Sequence, residues 1–132
     1  MSDPVRDYLQ KKGCADHVIN GGLAGLVETW EGIVESVAEG YSLGLDDYLN
    51  DLDVRQLLEE SLAVATATEK NKLLDHVNEA DDSFKALVTA TEQCLWGNKV
   101  AKKKGWTPKK NWWYFNRPLN AGEDLLAELT VK

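Results

Sequence analysis

Asp81 makes the strongest demand on its surroundings. It falls between Val77 and Phe84, on the apolar stripe of a helical stretch. A lone carboxylate buried there needs a cationic partner or a raised pKa. Arg55, at the flank of the preceding helical region, is the first expected partner, and Arg117, among the aromatics near the end of the chain, is the second. Such a pair either fixes helix register or lines a polar pocket between helices. The expected binding residues are therefore Tyr48, Arg55, Asp81, Trp112, Trp113 and Arg117, gathered in a concave interhelical site.

A second constellation lies in residues 99–117. Lys99, Lys102, Lys103, Lys104, Lys109, Lys110 and Arg117 occur there without an acid, interleaved with Trp106, Trp112, Trp113, Tyr114 and Phe115. Single-stranded nucleic acids are held by aromatics beside cations in this way. The preferred reading is that the aromatics close the core while the lysines stay in solvent. Residues 1–98 carry 7 basic and 19 acidic side chains, and the whole chain has a net charge of −7. An acidic body repels phosphate, so nucleic acid is not an expected partner. Another arrangement sets the basic strip against the acidic body, within one chain or between two copies as a homodimer.

The remaining candidates are weaker. Asp46, Asp47, Asp51 and Asp53 have the oxygen ligands that magnesium and calcium prefer. They lack the glycine turn and terminal glutamate of an EF-hand loop. The cluster is similar to the aspartate-rich metal motif of terpenoid synthases, a fold far larger than this chain. Its bland reading is a solvated acidic face. Glu28-x-x-Glu31 and Glu79-x-x-Asp82 resemble the paired acidic motifs of the all-α nucleotide pyrophosphatases. That resemblance implies acids lining a bundle interior around magnesium, whereas helical phase turns Glu28 and Glu31 away from the apolar stripe here. Cys14, His17, His76 and Cys94 are zinc-ligand types, but their spacing fits no zinc pattern. The two cysteines read as reduced thiols. No residue is assigned as catalytic or metal-ligating, and no cofactor is expected.

The positioning elements follow from periodicity. Asp3 caps a first helix that starts at Pro4 and ends at Gly13 after Lys11 and Lys12. Residues 14–22 form a loop. Leu23, Leu26, Val27, Trp30, Ile33, Val34 and Val37 define a second helix closed by Gly40. Leu45, Tyr48, Leu49 and Leu52 share one face, and Val54, Leu57, Leu58 and Ser61 a face roughly opposite. This predicts a break between Asn50 and Asp53, with Asp53 and Gln56 as a capping box; the alternative is one helix buried on both sides. A long helix over residues 68–95, about 42 Å, carries Asp81. Trp112–Phe115 is expected to run extended against the bundle. Asn120 and Glu123 would cap a last helix bearing Leu125, Leu126 and Leu129.

The expected fold is all-α: one domain over residues 1–132, a bundle of five to six helices with residues 106–132 packed on it as a tail. No apolar run approaches membrane-spanning length, and no export signal precedes the first helix, so the expected location is the cytoplasm. The functional expectation is a non-catalytic binding or regulatory protein with a protein partner, a basic one by charge. Small size and surplus acid resemble the profile of small toxin-neutralising immunity proteins. The competing classes are a small metal-dependent hydrolase using helix-borne carboxylates and a single-stranded nucleic-acid binder using the tail.

Overall fold

The computed structural model describes residues 3–120 and Leu125. Their elements, in order, are α1 (Pro4–Lys12), α2 (Asp16–Ala38), α3 (Leu45–Val64), α4 (Ala67–Lys85), β1 (Val88–Ala90), α5 (Asn98–Lys104), a 3₁₀ turn (Trp112–Phe115) and β2 (Asn116–Pro118). The architecture is an all-α bundle, clasped by one two-stranded antiparallel sheet. Among the described residues no helix is long and apolar enough to cross a membrane.

α1 forms as its sequence dictates. The Asp3 carboxylate accepts from the Val5 and Arg6 amides, and Gly13 closes the helix at φ 85°. The expected loop over 14–22 is instead mostly helical, because α2 already starts at Asp16. The break shrinks to Gly22, whose φ 59° and ψ −154° only glycine adopts without strain. Arg6 answers the kink by donating from Nε to the Ile19 carbonyl (3.3 Å) and from Nη2 to the Asn20 carbonyl (3.0 Å). Beyond it, the seven apolar residues from Leu23 to Val37 are all buried, while Glu28, Glu31, Glu35 and Glu39 are exposed.

α3 corrects the expected break. It runs unbroken from Leu45 to Val64 and buries Tyr48, Leu49 and Leu52 as well as Arg55, Leu58 and Leu62. Two-sided burial is satisfied because α3 packs against α1, α2 and the 3₁₀ turn. Asp53 caps nothing; it receives hydrogen bonds from Trp96 and Tyr114.

The expected helix over 68–95 stops at Lys85. Thr66 caps its start by accepting from the Glu69 amide. At the other end, the β-branched Val88 and Thr89 enter a strand, with Val88 opposite Pro118, Thr89 opposite Arg117 and Ala90 opposite Asn116. Further bonds from the Thr91 amide to the Phe115 carbonyl and from the Leu95 amide to the Tyr114 carbonyl, both 2.8 Å, carry the chain along the tail. Helical spacing persisted through 87–95 in the sequence, but long-range pairing claimed that backbone.

The aromatic run winds into the 3₁₀ turn and becomes extended only from Asn116. Trp113, Tyr114 and Phe115 are buried, so the run does close the core. Lys99, Lys102, Lys103 and Lys104 occupy α5, a short helix between Gly97 (φ 104°) and Gly105 (φ 74°), and Lys109 and Lys110 stand exposed in the turn that follows. Leu125 is helical and fully buried. Glu123, Leu126 and Leu129 of the expected last helix lie outside the described residues.

Candidate functional site

Helical phase on α3 and α4 brings Arg55 and Asp81 together. The guanidinium donates from Nε to Asp81 Oδ1 (2.9 Å) and from Nη2 to Oδ2 (2.8 Å), a bidentate pair. Trp30 on α2 donates its indole N–H to the same Oδ1 at 2.9 Å. Arg55 Nη1 reaches Glu59, one turn on, at 3.1 Å. The guanidinium lies 4.5 Å from the Trp113 ring centroid and 6.0 Å from that of Trp112. Arg55 is 4% exposed and Asp81 8%. Four of the six expected binding residues therefore converge, but in a sealed knot. Both Asp81 oxygens are occupied by protein donors, which suits register fixing better than ligand capture.

The other two expected residues sit elsewhere. Tyr48 is fully buried, packs edge-on to Tyr41 (5.1 Å between centroids) and donates to the Asn116 carbonyl at 3.4 Å. Burial, joined by the nearby Asp51 charge, pushes its hydroxyl well above the ordinary tyrosine range. Arg117 is half-buried in β2, opposite Thr89, and does not pair with Asp81.

The concave site lies on another side of α3. A cleft of about 720 Å³ opens between α3 and the segment from Trp96 to Tyr114. On the α3 side stand Asp53, Gln56 and Glu60, three polar residues at helical spacing; across from them are Trp96, Trp106 and Asn111. Asp53 Oδ1 accepts from the Trp96 indole (3.1 Å) and the Tyr114 hydroxyl (2.6 Å). Asn111 donates to Gln56 at 2.8 Å, and Gln56 to Glu60 at 2.9 Å. Trp106 stacks on Tyr114 with centroids 4.0 Å apart and planes 17° from parallel. Glu60 also receives Lys12 Nζ and the Tyr8 hydroxyl, each at 2.5 Å, which ties α1 to α3. Burial works to raise the Glu60 carboxyl, but the bonds from Lys12, Tyr8 and Gln56 outweigh it and hold it below the usual glutamate range. The sequence reading passed over this ridge because it assigned Asp53 and Gln56 to a cap. The signal available was their recurrence, with Glu60, at three- and four-residue steps.

The acidic candidates disperse. Asp46 and Asp47 are exposed in the first turn of α3, where the helix dipole favours them. Asp51 accepts from the Tyr41 hydroxyl at 2.5 Å. Glu28, Glu31, Glu79 and Asp82 are all exposed rather than lining a bundle interior. Glu31, Glu35 and Glu79 instead border a shallow groove of about 350 Å³ between α2 and α4, floored by Val34, Ala80 and Leu87. His76 approaches Glu31 at 4.0 Å. Among the described residues no group of three or more His, Cys, Asp and Glu side chains is arranged to hold a metal ion.

No protein-family model, no curated protein and no solved structure matches this chain.

Proposed function

We propose that the protein is a non-catalytic intracellular binding or regulatory protein whose acidic α2–α4 face receives a basic protein partner. The observation that carries this reading is the groove itself: an apolar floor of Val34, Ala80 and Leu87 rimmed by Glu31, Glu35 and Glu79, with a single weak contact from His76. An apolar centre with a charged rim is how partner surfaces combine affinity with steering. Glu28 and Glu39 extend the same negative field along α2. Seven of the chain's cations are grouped in residues 99–117, outside α2 and α4.

The test compares affinity capture from the source cell by the native chain and by a Glu31→Gln/Glu35→Gln/Glu79→Gln variant. The native chain should retain a basic protein that is released by salt and lost, by about tenfold or more, in the variant. A partner captured equally by both would move the interface elsewhere, and a partner of acidic charge would overturn the reading.

A further inference from the structure

We propose that the cleft between α3 and the α5–3₁₀ segment is a binding site for a small zwitterion with an aromatic body, of the α-amino acid class. Four charged side chains line it: Lys12, Asp53, Glu60 and Lys104. Lys12 and Glu60 satisfy one another at 2.5 Å. Asp53 and Lys104 form no ion pair with each other or with any described residue. The cleft thus presents one open charge of each sign. Asp53 is the better fixed of the two, because the Trp96 indole and the Tyr114 hydroxyl both hold its Oδ1 and leave Oδ2 without a described partner.

The charge arrangement selects the ligand. A simple amine would gain Asp53 but meet Lys104, and a simple carboxylate would gain Lys104 but meet Asp53. A molecule carrying both groups can set each beside its opposite, and with no net charge it meets no net repulsion. Its body would lie between Trp96 and Trp106, and Trp106 is kept in place by the stack on Tyr114. The cleft volume lies within the span of small-ligand sites, about 300–1,000 Å³. This site is separate from the acidic α2–α4 groove, so neither assignment depends on the other.

Calorimetric titration of the full chain with L-phenylalanine, phenethylamine and 3-phenylpropionate decides the matter. L-Phenylalanine should bind, and each single-charge analogue should bind at least about tenfold more weakly, as expected for loss of one charge-assisted contact. Asp53→Asn keeps an oxygen for Trp96 and Tyr114, so it should fold while reducing L-phenylalanine to the level of 3-phenylpropionate. Lys104→Met, at an exposed helix end, should reduce it to the level of phenethylamine. The proposal is overturned by no heat with millimolar L-phenylalanine, by equal binding of an analogue, or by unchanged affinity in Lys104→Met. The last two criteria need only variants or ligands that leave the fold untouched.

Discussion

Arg55 and Asp81 show how much one buried pair asks of its neighbours. Desolvating two charges is expensive, and the pair is tolerated because geometry returns most of that expense: two parallel bonds, an indole donor and an aromatic ring over the guanidinium. Breaking it from one side removes the compensation and leaves the charge. Asp81→Ala should therefore destabilise the protein by about 3–5 kcal/mol. Replacing both partners by apolar groups, Arg55→Met with Asp81→Leu, should recover much of that loss, because no unpaired charge remains. Urea unfolding of Asp81→Ala and of the double variant measures this. If Asp81→Ala costs under about 1 kcal/mol, the pair is not a structural determinant and the assignment fails. Asp81 was legible in the sequence for the same physical reason: a carboxylate on a stripe with Val77 and Phe84 has few ways to be stable, and an arginine on an adjacent helix is the simplest. The cleft residues gave only their recurrence at three- and four-residue steps, which makes no comparable physical demand. Asp53, Gln56 and Glu60 are ordinary surface types on a helix, and only the tail folding over them turns a polar ridge into a wall.

The elements divide by how many faces they bury. α2 was readable because one side is wholly apolar and the other carries four glutamates, so phase had one solution. α3 misled because apolar residues on opposite sides cancel any single stripe, and a break was the simplest way to reconcile them. Its continuity depends on what the tail supplies to its second side. α4 was overextended because Leu87, Thr91 and Leu95 continue the helical step while their backbone bonds to residues far along the chain. Between elements, the Tyr8–Lys12–Glu60 bridge joins α1 to α3 and should make their docking depend on pH. The Glu60 carboxyl is lowered in the folded state, so its contribution is present above the ordinary value of 4.5 and is lost as pH falls through the lowered one. The Lys12 ammonium is raised, chiefly by its bond to Glu60, against the opposing effect of burial. Its contribution is present below 10.5 and fades as pH rises through the raised value. The Tm difference between the native chain and Glu60→Gln should then be widest near neutral pH and close at both ends of the profile. A difference that stays constant with pH would show that the bridge contributes packing but no charge pairing.

At the scale of the molecule, the decisive question is whether the aromatic tail is an appendage or part of the core. A nucleic-acid binder would need these rings free to stack on bases. Trp113, Tyr114 and Phe115 are instead buried, Trp113 roofs the Arg55 guanidinium, and β2 supplies the only described partner of β1. Each such ring removes about 150–250 Å² from water, worth about 4–6 kcal/mol at the usual transfer coefficient. Even discounted for a compact unfolded state, three rings rival the entire stability of a small domain, about 5–15 kcal/mol. Ending the chain after Gly105 should accordingly abolish cooperative unfolding, not merely lower Tm. The truncated bundle should bind a hydrophobic dye such as ANS and lose near-ultraviolet circular dichroism while keeping much of its helical signal, the behaviour of a core that has lost its packing. Leu87, on the floor of the acidic α2–α4 groove, accepts from the Leu119 amide of the deleted segment, and the groove's geometry rests on α2 and α4 being drawn together by the same core. Partner capture should therefore fail in the truncated chain even though every groove residue is retained. A truncated chain that unfolds in one sharp transition near the native Tm would instead make the helices self-sufficient, and would return the tail to the role of a separate, surface-bound strip.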